Sequence, residues 1–88
     1  MNITKVLTDN NLSSTEKIVL IYLYEVNKGD SVTLSAKHIS NEIGITRSTV
    51  IKAIKGLISK GIVSKINNMN MYEGTTSNTY NLKTKKYM

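Results

Sequence analysis

Two short stretches with helical patterning flank Gly44, and their spacing constrains the fold more than any other feature of the sequence. The first is predicted over residues 36–43 with Ser35 as its N-cap; the second is predicted to begin after Thr46 and to stop at Gly61. Glycine suits the left-handed conformation that a chain adopts when it leaves one helix and turns tightly into another. The sequence therefore predicts two helices joined by a short turn.

The second of these helices has an apolar side and a polar side. Its predicted buried stripe consists of Val50, Ala53, Ile54, Leu57 and Ile58. The opposite side carries Ser48, Thr49, Lys52, Lys55 and Ser59. Gly56 lies inside the helix, where glycine costs about 1 kcal/mol, and a close packing partner is the favoured explanation.

Small and branched residues stand where two such helices have to meet. Ser40 precedes Gly44 by four positions and Val50 follows it by six. This spacing is typical of the DNA-binding helix-turn-helix. The match alone has many false positives, but the basic helix and the predicted hairpin that follow make it more specific.

The remaining segments predict one further helix and a small sheet. Ser13 and Glu16 have the spacing of a capping box at the start of an apolar helix that is predicted to stop at Gly29. A short strand is predicted from Asp30 to Leu34, and residues 62–66 and 79–82 alternate as two strands of a hairpin.

These elements predict a mainly α protein with a small β-hairpin, an α+β fold of three helices and a wing. We expect one domain over residues 13–83, preceded by residues 1–12 as a short arm or a first helical turn. Residues 84–88 are expected to be a frayed basic tail.

Composition removes several classes of function. The chain has no Cys and one His, which excludes disulfides and thiolate metal sites, and no catalytic grouping is visible, so we expect neither an enzyme nor a cofactor or metal. The longest apolar run, Ile18 to Tyr24, is far shorter than the 20 or so residues of a membrane span. Without a signal-peptide pattern either, a cytoplasmic protein is expected.

Positive charge is concentrated on the predicted turn and second helix. The chain has 12 Lys and Arg against 6 Asp and Glu, a net charge of +6. From position 37 to position 65 Glu42 is the single anion, among the cations Lys37, Arg47, Lys52, Lys55, Lys60 and Lys65. A polyanion is the expected partner.

Two segments resemble known proteins. Residues 12–23, LSSTEKIVLIYL, look like the first helix of winged helix domains in phage and plasmid replication or regulatory proteins. Residues 40–50, SNEIGITRSTV, continued by residues 53–62, are similar to the turn and recognition helix of the GntR-like and MarR-like winged helix groups. The resemblance covers roughly residues 12–83 and implies three helices with a two-stranded wing.

The resemblance also implies which residues meet DNA. It assigns the DNA-facing start of the recognition helix to Thr46, Arg47, Ser48, Thr49 and Lys52. The chemistry of the side chains agrees, because Arg binds guanine bidentately and Lys and hydroxyl groups bind phosphate. We add Lys55 on the same helix and Lys37 on the preceding one. The predicted wing tip, residues 67–77, has no Lys or Arg and carries Glu73, which argues against minor-groove reading.

We therefore predict a sequence-specific regulator that binds double-stranded DNA, as a transcriptional repressor or in plasmid or phage partition or replication control. A homodimer through residues 1–12 and the first helix is expected; the alternative is that these residues cover the monomer's own core. Two other functions stay open, a protein-interaction module such as a phage inhibitor or adaptor, and the N-terminal domain of a longer replication initiator.

Overall fold

The computed structural model describes residues 1–27, 31–66 and 78–88. Within these ranges the elements are α1 (Ile3–Leu7), α2 (Ser14–Asn27), β1 (Ser31–Leu34), α3 (Ala36–Ile43), α4 (Arg47–Ser59), β2 (Val63–Ile66), β3 (Asn78–Leu82) and a 3₁₀ helix (Lys85–Tyr87). The predicted α+β fold class is confirmed, with the short helix α1 added to the three predicted helices.

Helix α2 begins with the predicted capping box. The backbone N–H of Glu16 donates to Ser13 Oγ at 3.2 Å, and the N–H of Ser13 donates to Glu16 Oε1 at 2.9 Å. Both bonds satisfy N–H groups that have no partner inside the helix. The predicted helix stop at Gly29 and the predicted strand start at Asp30 lie outside the described residues.

The turn between α3 and α4 is also as predicted. Ser35 caps α3 by accepting a hydrogen bond from the His38 N–H, and Gly44 follows with φ 72° in the left-handed region. The Gly44 N–H donates to the Ser40 carbonyl at 3.0 Å, which closes α3. Thr46 then caps α4, so only three residues, 44–46, separate the two helices.

The three strands form one antiparallel sheet in the order β1–β3–β2. The predicted hairpin is present, because β2 pairs with β3 and places Val63 opposite Leu82. The predicted strand β1 joins this hairpin, since it pairs with the other edge of β3 and places Val32 opposite Tyr80. Pairing on both edges satisfies the backbone of the central strand. The predicted loop tip, residues 67–77, lies outside the described residues.

The N-terminal segment contributes to the core of the monomer. Of the two alternatives for residues 1–12, the structure shows a helical turn, α1, capped by Asn2. Val6 is fully buried and Leu12 is 5% exposed, and both pack with the core residues of α2. Ile3 and Leu7, on the other side of α1, remain exposed.

The expectation of a frayed tail is wrong. Tyr87 is only 2% exposed, its hydroxyl donates to Asp9 Oδ2 at 2.6 Å, and its carbonyl accepts from the Asn2 N–H at 2.5 Å. A buried tyrosine adds a large apolar surface and its hydroxyl finds a partner, which fixes this end of the chain. Burial raises the pKa of Tyr87, and its hydrogen bond lowers the pKa of Asp9 below the ordinary 3.8.

The core lies between the helices and one face of the sheet. Its largest fully buried members include Leu20 and Leu23 of α2, Ile39 of α3 and Leu57 of α4. Within the described part of the chain, no helix is long and apolar enough to cross a membrane.

Candidate nucleic-acid interface

The start of α4 is organised by one side chain. Thr46 Oγ1 accepts a hydrogen bond from the Thr49 N–H at 3.3 Å and lies 2.7 Å from Thr49 Oγ1. The first turn of α4 contains no acidic residue. A helix N-terminus favours anions through its N–H groups and its dipole, so this end of α4 is electrostatically suited to phosphate.

Helix α4 has one buried side and one exposed side. Val50, Ala53, Ile54 and Leu57 are buried as predicted, whereas Ile58 is only partly buried. Arg47, Ser48, Lys52 and Lys55 are exposed, and Thr49 is partly buried. Because the apolar side is fixed in the core, the polar side has to face outward.

The predicted site residues are only partly brought together. Four of them line one shallow depression on the outside of α4 together with Ile51: Ser48, Thr49, Lys52 and Lys55. Thr46 is connected to this group through its hydrogen bonds, with its hydroxyl 3.3 Å from Ser48 Oγ. Arg47 occupies the first position of the helix. Lys37 is exposed on α3 and does not line the depression.

A partly buried ion pair joins the end of α4 to the start of α2. Lys60 Nζ lies 2.6 Å from Glu16 Oε1, and the Glu16 side chain is only 9% exposed. Burial works to raise the pKa of Glu16, but the hydrogen bonds from Lys60 and from the Ser13 N–H outweigh it, and the pKa falls below the ordinary 4.5. Lys60 is therefore paired with a carboxylate of the protein itself.

The same carboxylate explains the glycine inside α4. A Cβ at Gly56 would overlap Glu16 Oε2. The expected close packing partner of Gly56 is thus a charged side chain from the capping box of α2. The glycine was a usable signal in the sequence, but the identity of its partner, 40 positions away, was not.

Comparison with known proteins identifies the family of the chain. A family described as a helix-turn-helix domain (HTH_36) matches residues 10–63, more than half of the chain. The chain belongs to this helix-turn-helix family. The match runs from just before α2 to the first residue of β2, so it contains the capping box, the turn and the whole of α4.

Relatives of this helix-turn-helix domain include regulators of transcription. The chain is 33% identical over 54 residues to the global transcriptional regulators CodY of Staphylococcus haemolyticus (strain JCSC1435) and Staphylococcus epidermidis, which covers 61% of the chain. It spans only 21% of the length of those relatives. The similarity therefore concerns one segment of much longer proteins.

A solved structure extends the likeness to almost the whole fold. A possible transcriptional regulator from Methanosarcina mazei Go1 matches with a TM-score of 0.65 over 96% of this chain and 65% of its own. The two sequences are 22% identical, so the comparison concerns the fold alone. It extends beyond residue 63, where the family match ends. The winged helix-turn-helix fold is thereby confirmed for this helix-turn-helix protein.

Proposed function

We propose that the chain binds duplex DNA, with α4 in the major groove and Lys37 reaching the backbone from α3. The observation that carries this proposal is the joint exposure of Ser48, Lys52 and Lys55 on a capped helix whose other side is buried. The major groove admits an α-helix, lysines and hydroxyl groups bind phosphate, and arginine binds guanine. Thr46 and Thr49 complete the group at the start of the helix.

The number of cations available for DNA follows from the ion pair. Besides Lys60, which forms an ion pair with Glu16, the exposed cations between positions 37 and 65 are Lys37, Arg47, Lys52, Lys55 and Lys65. If each of them neutralises one phosphate, log K should fall with log salt at a slope near −4 to −5 per subunit. Fluorescence anisotropy titrations with a labelled duplex in a salt series measure this slope. Affinity that barely changes between low and moderate salt contradicts the proposal.

We infer further that the protein regulates by occupying its DNA site. The matched relatives are named as transcriptional regulators, and simple occupancy would serve a repressor as well as plasmid or phage partition or replication control. Selection from random duplexes gives the preferred site. In transcription assays, that site should reduce synthesis when it overlaps a promoter and should have no effect when it is placed well upstream. Equal transcription from both templates contradicts repression by occupancy.

We also propose a homodimer through the outer sides of α1 and α2. Val6 and Leu12 pack in the monomer's own core, so they no longer support this idea. Its support comes from apolar residues that remain 39 to 51% exposed: Ile3, Leu7, Ile18 and Val26. Two-fold pairing would place two α4 helices about one DNA turn, roughly 34 Å, apart.

Sedimentation velocity tests the dimer. We expect a dimer at tens of micromolar that Ile18→Glu converts to a monomer, because a charge is costly in an apolar interface. Ile66→Glu is the matched control, since Ile66 on β2 is similarly exposed at 52% but lies on another element. If the wild-type chain is a monomer, the proposed dimer is wrong. If Ile18→Glu and Ile66→Glu dissociate the dimer equally, its interface is not the one proposed.

A further inference from the structure

One charged residue lies on the face of the sheet that carries Val63, Tyr80 and Leu82. Residues directly opposite each other in antiparallel strands share a face, and Lys65 of β2 lies opposite Tyr80 of β3. Val63 and Leu82, one step along on the same face, are buried against the helices, as is Tyr80. Lys65 is nevertheless exposed, so its side chain reaches solvent at the rim of the core.

Lys65 borders a small cleft between the sheet and α4. The cleft has a volume of about 110 Å³, and its apolar floor includes Ile51 and Ile58 of α4 and Tyr80 of β3. Lys55 of α4 lines it on the helix side and Lys65 lines it on the sheet side. Since a water molecule takes up about 30 Å³ of liquid, the cleft has room for a few heavy atoms and not for a whole nucleotide.

Both lysines of the cleft are available to an anion. Within residues 1–27, 31–66 and 78–88, the ion pairs are those of Lys60 and Lys86, and neither Lys55 nor Lys65 has a carboxylate within 4.0 Å. Glu42 is the single acidic residue between positions 37 and 65. Two ammonium groups beside an apolar floor are complementary to a chain of phosphates linked by sugars.

An inward-facing lysine on an edge strand has another explanation. β2 lies at the edge of the sheet, and a charge there discourages pairing with the strand of another molecule. That explanation accounts for Lys65 but gives no reason for a second cation, Lys55, on the opposite wall of the same cleft. The two explanations differ in what removal of Lys65 does to DNA binding.

We propose that Lys55 and Lys65 bind neighbouring phosphates of the same DNA strand, with the apolar edge of the intervening deoxyribose over the cleft floor. This inference rests on the proposed binding of duplex DNA by α4. A strand that borders the major groove would run between α4 and β2. Residues 63–82 contain one Lys and no Arg, so Lys65 carries the positive charge of this part of the chain.

The test compares variants that each remove one positive charge. Lys55→Met and Lys65→Met keep an apolar stem, and Lys83→Met is the matched control, because Lys83 is also exposed but follows β3 outside the cleft. Anisotropy titrations of the full chain with its selected duplex are made in a salt series. We expect Lys55→Met and Lys65→Met each to reduce the salt slope by about 0.9 and Lys83→Met to leave it unchanged.

Ethylation interference then locates the phosphates. We expect ethylation of one phosphate to weaken DNA binding by the wild type but not by Lys65→Met. Ethylation of an adjacent phosphate on the same strand should weaken binding by the wild type but not by Lys55→Met. Phosphates on different strands overturn the shared-strand geometry. A salt slope that Lys65→Met changes no more than Lys83→Met overturns the role of Lys65 while the proposed DNA binding stands. A wild-type chain without salt-dependent DNA binding overturns both.

Discussion

Arg47 is the only arginine of the chain, and it is exposed at the first position of α4. We expect Arg47→Ala to weaken binding to the selected site more than binding to random duplex, because a bidentate guanine contact contributes roughly 1–3 kcal/mol of discrimination. Lys52→Ala and Lys55→Ala should weaken both more evenly, as phosphate contacts do. Competition titrations with specific and random DNA give the two affinities. Equal losses for Arg47→Ala would make it a phosphate contact.

Gly56 gives a second prediction for a single residue. Alanine is favoured over glycine by about 1 kcal/mol inside a helix, yet we expect Gly56→Ala to lower the free energy of unfolding by about 1–3 kcal/mol. The reason is that the new Cβ would displace the Glu16 carboxylate from Lys60 and from the Ser13 N–H. Urea unfolding measures the change.

The background with Glu16→Ala is the control for Gly56. Once the carboxylate is absent, Gly56→Ala should stabilise α4 by about 1 kcal/mol, so the sign of its effect reverses. Stabilisation by Gly56→Ala in both backgrounds would mean that the carboxylate does not determine the choice of glycine.

At the scale of elements, the ion pair that joins α2 to α4 should weaken in acid. The pKa of Glu16 is lower in the folded protein than the ordinary 4.5 of the unfolded chain. Its carboxylate therefore stabilises the fold above that pH, and this contribution is lost as the pH falls through the folded-state pKa. Asp9 acts in the same direction below its ordinary 3.8.

Urea unfolding as a function of pH tests the contribution of this ion pair. We expect the free energy of unfolding of the wild type to decrease below about pH 4.5, and Glu16→Gln to show a flatter dependence. Glutamine is a suitable control because it can still form the capping box but does not titrate. If Glu16→Gln shows the same pH dependence as the wild type, the ion pair is not the source of that dependence.

The helix boundaries were predictable because their signals are local. Ser13, Ser35, Gly44 and Thr46 each act within a few residues, and the structure places all four as predicted. The same patterning identified the exposed side of α4. The pairing of β1 with β3 could not be predicted in this way, because it joins segments far apart in the sequence and no short-range pattern encodes it.

The same limit applies to the site and to the tail. The sequence groups Lys60 with the other cations of residues 37–65, since its partner Glu16 lies 44 positions earlier. The lysines of residues 84–88 predict a frayed tail, whereas Tyr87 is held by Asp9, 78 positions earlier. In both cases the residue type was visible in the sequence, but its partner was set by the tertiary fold.

For the whole molecule, the last residues should matter to stability. We expect Tyr87→Ala to lower the free energy of unfolding by about 3–5 kcal/mol, because it removes a buried ring, and Tyr87→Phe to lower it by about 1 kcal/mol through the lost bond to Asp9. Met88→Ala is the control, since Met88 is 74% exposed. Thermal or urea unfolding compares the three. A Tyr87→Ala variant as stable as Met88→Ala would contradict the packing of the tail.

The contact between Asn2 and Tyr87 brings the two ends of the backbone together. The Asn2 N–H donates to the Tyr87 carbonyl at 2.5 Å, and Lys5 Nζ donates to the Met88 carbonyl at 2.7 Å. A peptide linker of a few residues could therefore join Met88 to Met1 with little strain. Such a cyclic protein would keep the exposed side of α4 unchanged and would melt at a higher temperature, because ring closure reduces the conformational entropy of the unfolded chain.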